Sequence, residues 1–307
     1  MNVISLFLAL SAFSISANAV PPLISTMVET TGIRAPNFGF FIFIQYVACS
    51  LIAFTGSSIK NKLRLSNYFV VAIGLIAITI SLILGGVLLH SYLALLIWVI
   101  PLGLSGAAVE VFASIELSNL SDFNSSKNLC LSQVFYSLGA FAAPQIVYFC
   151  FDFGMEWESI FFIFSLVSVL VLFFFLVINQ HRLRFESVSN KFQSNTKAVI
   201  LKTVNSRRLF LIFLLIMMSY VIIESLSAAW LAYSFEQEFQ LNTKNAALVL
   251  AAFWGGMVLS RFLIVMLPAR LTLWPTLLVS SVLLLLATVI ILPAPGYTAS
   301  FIAVIVM

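Results

Sequence analysis

Unbroken runs of apolar residues, separated by short polar breaks, recur along the whole chain. An α-helix needs about 20 such residues to cross a hydrocarbon core about 30 Å thick, so each run predicts a membrane span. The runs fall at roughly 3–28, 37–59, 68–90, 93–118, 128–150, 158–180, 209–235, 245–267 and 273–293, and a tenth begins at 297. All connections are short except residues 181–208. A transmembrane β-barrel would instead alternate apolar and polar residues over about 10 positions, a pattern these runs do not have. The expected fold is all-α, a polytopic membrane protein.

Composition removes the alternatives. The chain is 62% hydrophobic and 8% charged, with a mean hydropathy of +1.13. A soluble domain has about 45–50% apolar and about 25% charged residues. This excludes a cytosolic enzyme, a secreted domain and a disordered chain. Cys49, Cys130 and Cys150 all lie inside apolar runs and read as small buried hydrophobes, with no disulfide or metal framework. No HExxH, CxxC, P-loop or GxSxG string is present. The expectation is therefore no enzyme, no cofactor, no metal and no nucleic-acid partner, with the lipid bilayer as the surroundings.

The basic residues orient the spans. The connection 181–208 carries Arg182, Arg184, Lys191, Lys197, Lys202, Arg207 and Arg208 against a single acid, Glu186. Lys and Arg concentrate in cytoplasmic loops, which places this connection inside. Six spans precede it, so the N-terminus is expected inside as well. Lys60, Lys62, Arg64, Lys127 and Arg270 then fall inside, and Arg261 lies toward the inner end of its span. Only Arg34 and Lys244 are outside, so 13 of the 15 basic residues agree. Ala17-Asn18-Ala19 matches the small-residue pattern of a signal-peptide cleavage site. No Lys or Arg precedes Arg34, however, so the first span is expected to stay uncleaved. The chain stops within the apolar run Phe301–Met307. A twelve-span plan would place the rest of span 10 and two further spans beyond it.

Six spans, a basic loop and a second set of spans resemble the major facilitator superfamily, whose halves are bundles of six spans around a central site. Gly56-Ser-Ser-Ile-Lys60-Asn-Lys62-Leu-Arg64 resembles the superfamily's G-x-x-x-D-R-x-G-R loop, with Lys60 in place of the acid and Leu63 in place of the second Gly. Glu110 on span 4 is followed on span 5 by Leu131-Ser-Gln133-Val-Phe-Tyr-Ser137-Leu-Gly139-Ala. Tyr220, Glu224 and Trp230 lie on span 7, and Phe253-Trp254-Gly255-Gly256 precedes Arg261 on span 8. These stretches are similar to the fucose–proton symporter family. The resemblance implies two six-span bundles in the major facilitator fold, the second incomplete in this chain. Residues 1–180 would form the first bundle, 181–208 a cytoplasmic linker and 209–307 the second. It further implies a monomeric secondary active transporter in a bacterial inner (plasma) membrane. Its cargo would be a small polar solute, a sugar above all, moved with a proton. Symporters of this family carry an acid beside an Asn on span 1, where this chain has Asn18-Ala19. Two other readings are a transporter-like sensor or scaffold without flux, and efflux of an amphipathic compound.

An ionisable side chain at the bilayer centre costs at least about 2.5–3.5 kcal/mol, so it needs a cavity or a partner. Glu110 stands 17 residues into its span and Glu224 stands 15 into its own. At 1.5 Å per residue both reach the middle third, ~25 Å and ~22 Å along. They are the candidate proton-coupling acids. Asn18, Gln45 and Gln133 carry amides that both donate and accept, which suits a hydroxyl-rich ligand. Trp230 offers a ring to stack on a sugar face, with a belt position at the membrane surface as its other reading. Lys60, Arg64, Arg261 and Arg270 are candidate conformational latches. Arg261 would meet either carbonyls of a neighbouring span or a cytoplasmic acid.

Overall fold

In the computed structural model, the described residues are 2–88, 90–119, 125–183, 204–266, 273–291 and 296–306. They form eleven α-helices and one 3-10 turn. The helices are α1 (Asn2–Ala17), α2 (Ile24–Thr31), α3 (Ala35–Leu63), α4 (Asn67–Leu88), α5 (Tyr92–Asn119) and α6 (Ser125–Asp152). They continue as α7 (Trp157–Asn179), α8 (Val204–Phe239), α9 (Thr243–Met266), α10 (Leu273–Ile291) and α11 (Tyr297–Val306). Among the described residues, eight segments are long and apolar enough to cross a membrane. The protein is an integral membrane protein of helical type.

The first span differs from its expected form. The run expected to be one helix over 3–28 is interrupted. α1 ends at Ala17, a 3-10 turn covers Pro21–Leu23, and α2 resumes at Ile24. The cause is local. Pro21 and Pro22 have no N–H, so neither can bond back to the carbonyls of residues 17 and 18. Asn18 closes α1 instead, its backbone N–H and its side-chain Nδ2 both donating to the Ser14 carbonyl, at 3.1 and 2.9 Å. By contrast, the helix assignment runs unbroken through Pro101 in α5 and Pro144 in α6.

Helices α3 and α4 pack on α5, α4 also packs on α7, and α1 lies against α5, α6 and α7. Aromatic rings fill the centre. Trp98 stacks on Phe41 at 6.1 Å and meets Phe161 edge-on at 5.7 Å, while its indole N–H donates to the Ser81 carbonyl. Buried hydroxyls and amides add ties between spans: Thr79 with Ser168 at 2.8 Å, and Asn179 donating to Ser5 at 2.8 Å. Ser11 also donates to the Phe135 carbonyl at 2.8 Å. Such interhelical bonds are worth about 0.6–2 kcal/mol each in a membrane. Gly139 lets α1 and α6 touch backbone to backbone, because a Cβ there would collide with the Ser11 carbonyl.

Among the described residues, the most extensive helix–helix interface joins α6 to α9. α9 also packs on α8 and α11, and the Pro21–Leu23 turn reaches both α8 and α9. Through these contacts the helices before and after residues 181–208 share one wall. From Leu214 to Ile223, α8 is mostly apolar and exposed around its whole circumference.

Candidate functional site

A cavity of about 690 Å³ lies where α1, α3, α5 and α6 face α8 and α9. The break in span 1 puts Asn18 and Pro21 on its wall. Gln45, Tyr46 and Cys49 project from α3, Glu110 from α5, and Gln133 and Tyr136 from α6. The opposite wall holds Tyr220, Glu224 and Ser225 of α8 with Trp254 and Arg261 of α9. The structure thus brings together Asn18, Gln45, Gln133, Glu110, Glu224 and Arg261.

The two acids differ in company. Glu224 accepts from Arg261 Nη2 at 3.2 Å, and the two side chains are 14% and 16% exposed. Glu110 is half-buried and has no hydrogen-bond or ion-pair partner among the described residues. Arg261 is the most connected group on the wall. Besides Glu224, it donates to Tyr220 Oη at 2.8 Å, to the Gln133 carbonyl at 3.2 Å and to Ser137 Oγ. Its partners lie on α6 and α8, so one guanidinium, with five donors in a fixed fork, ties helices on both sides of the cavity.

One end of the cavity is closed by polar ties. Lys244 at the start of α9 pairs with Asp152 at the end of α6 and lies 4.7 Å from the centre of the Tyr148 ring. Beside them Thr26 of α2 donates to Thr243 at 3.4 Å, and Thr243 donates to Glu236 of α8 at 2.6 Å. Elsewhere on the wall Cys130, Met217 and Ile264 line the cavity and are exposed. Cys130 therefore departs from the expectation of three buried cysteines; only Cys150 is fully buried.

Not every candidate from the sequence reaches this place. Trp230 is not on the cavity wall. It lies farther along α8, half-buried against Tyr233 and close to Gly39. The tryptophan on the wall is Trp254, packed edge-on against Tyr136 at 6.2 Å. Lys60 and Arg64 lie at the α3–α4 turn, away from the cavity. There Arg64 takes a left-handed conformation (φ 54°) and caps α3 through bonds to the Lys60 and Asn61 carbonyls. Arg270 lies outside the described residues. Tyr46, Tyr220 and Trp254 were not singled out as ligands from sequence. Tyr46 follows Gln45 directly, while Tyr220 and Trp254 stand in the same stretches as Glu224 and Arg261.

These features define a helical membrane protein with a central cavity between two sets of spans. A model of the Major Facilitator Superfamily matches residues 6–307. The chain belongs to the Major Facilitator Superfamily, and it is a secondary transporter rather than an enzyme. Among solved structures it is similar to a crystal structure of a D-xylose–proton symporter, with a TM-score of 0.65 and 13% identity. The match covers 99% of this chain and 77% of the symporter. No curated protein sequence gives a significant match.

Proposed function

We propose that this transporter moves a small polar solute, a sugar by best fit, together with a proton. Residues 1–180 and 209–307 rock against each other about the cavity, and 181–208 is a cytoplasmic linker in a bacterial inner membrane. The monomer is the working unit. One observation carries the reading: the cavity holds an acid without a partner among the described residues, Glu110, beside amides and hydroxyls that are able to take a polar ligand. Asn18, Gln45 and Gln133 supply the ligand contacts, and each amide both donates and accepts as a hydroxyl group requires. Glu110 carries the proton. Glu224 is held as the counter-ion of Arg261, and the pair forms the latch on the opposite wall. The crystal structure matched above is described as that of a D-xylose–proton symporter, which supports the same class of cargo.

A second reading has its own observation. Phe13, Phe41, Tyr46, Tyr136, Tyr220 and Trp254 make much of the wall aromatic, which also suits an amphipathic solute. One experiment separates the readings. Purified protein in vesicles is offered labelled sugars and labelled amphipathic compounds, with and without an inward proton gradient. Gradient-dependent uptake of a sugar supports the proposal. Uptake of only the amphipathic compounds replaces it with the second reading, and no flux of any compound replaces both with a sensor.

A further inference from the structure

A second cavity shares no residue with the first. α3 and α4 diverge from the short turn that joins them, and each packs on α5. Between them is a cleft of about 370 Å³ with α5 as its floor. Ile52 and Gly56 form one side, Ile73 and Ala77 the other, and Leu104 lies on the floor. Ser105 adds the one hydroxyl on this wall among the described residues. It is turned into its own helix, donating to the Pro101 and Leu102 carbonyls at 2.6 and 3.1 Å. The wall is therefore apolar along its length.

The ends of the cleft differ. Its floor runs along α5 from Phe112, beside the α3–α4 turn, to Pro101 near the middle of the helix. Eleven residues at 1.5 Å each give ~16 Å, which matches one leaflet of a hydrocarbon core about 30 Å thick. At the turn end Lys60 lines the mouth, and Lys62 and Arg64 follow it, both exposed. Among the described residues Glu116 is the acid near this end; it accepts from Asn67 Nδ2 at 3.4 Å and, like Lys60, has a further interaction, so the surplus positive charge at the mouth is that of Lys62 and Arg64. A groove one leaflet long with an apolar wall and a cationic mouth is complementary to a lipid with an anionic head.

We propose that this cleft binds an anionic phospholipid from the leaflet on the side of the α3–α4 turn. One acyl chain lies on α5 between α3 and α4, and the headgroup phosphate sits against Lys60, with Lys62 and Arg64 beside it. Exposed Ile59 and Ile73 lie along the cleft and face the surrounding bilayer. The site is independent of the solute cavity and does not rest on the cargo assigned there.

Native mass spectrometry of the purified protein, titrated with phosphatidylglycerol or phosphatidylcholine of identical chains, tests this. Two or three basic residues near the surface should make the first phosphatidylglycerol adduct roughly 30- to 150-fold tighter than the first phosphatidylcholine adduct. Lys60→Gln combined with Lys62→Gln and Arg64→Gln should bring the two lipids level. Ala77→Phe leaves the charges in place but fills the cleft, and should weaken the first adduct of both. Equal first affinities in the unaltered protein, or a preference that survives the triple substitution, would overturn the proposal. So would loss of the adduct to inorganic phosphate at matching concentration, since a site for the head alone does not need the cleft.

Discussion

Glu110 on α5 and Glu224 on α8 face one cavity from opposite walls, yet their surroundings have little in common. Glu224 is held by a guanidinium that also binds α6, so that wall is neutral and cross-braced. Among the described residues Glu110 has no such partner, and its wall keeps an acid open to a proton or a ligand. A buried ion pair fixes side chains in place, whereas an unpaired acid at mid-membrane is costly and marks a functional site. The contrast assigns different work to two residues that look equivalent in the sequence.

Breaking the paired wall should have the largest effect. Arg261→Gln leaves the Glu224 carboxylate without its counter-ion. Loss of one partner of a buried pair costs about 3–5 kcal/mol, seen as a lower melting temperature in detergent. The double substitution Arg261→Gln with Glu224→Gln removes the stranded charge and should recover most of that loss. A single variant as stable as the parent would show that the brace carries no load. Next in size is the contact that sets α1, and hence Asn18, against α6. Gly139→Val forces a side chain into the Ser11 carbonyl, and overpacking of this kind costs about 1–3 kcal/mol. Unchanged melting would mean that α1 can move away freely.

The smallest expected effect concerns the closed end. Asp152→Asn removes the charge that Lys244 meets. The pair is partly exposed, and such pairs add little to stability, so melting should hardly move. Access should move instead. A cysteine at Ala229, in a background without reactive native cysteines, should label faster from the Lys244 side when Asp152 is Asn. Equal labelling rates would show that the Thr26–Thr243–Glu236 ties close that end without the ion pair.

Much of this was legible in the sequence, for reasons that differ by feature. The spans are legible because about twenty apolar residues have few other uses. The expected run 37–59 lies within Ala35–Leu63, and 93–118 within Tyr92–Asn119. The interruption at Asn18–Leu23 escaped because a hydropathy count does not register that Pro21 and Pro22 lack donors. Glu110 and Glu224 stand out from cost alone. Their different company does not, because it depends on Arg261, 37 residues beyond Glu224 in sequence. Arg261 was expected to meet carbonyls or a cytoplasmic acid. It meets the Gln133 carbonyl and an acid far from the end of its span. The choice between Trp230 and Trp254 turns on which way each helix faces the cavity. Spacing within one helix does not reveal that without knowledge of its neighbours.

The most direct test of the account is proton-driven uptake by Glu110→Gln. The amide keeps the shape and some hydrogen bonding of the acid but does not titrate. Vesicles holding the altered protein should lose accumulation driven by a proton gradient, while exchange of labelled solute across the membrane without a gradient continues. Full gradient-driven accumulation by Glu110→Gln would contradict the account and move the coupling to another group, Glu224 first.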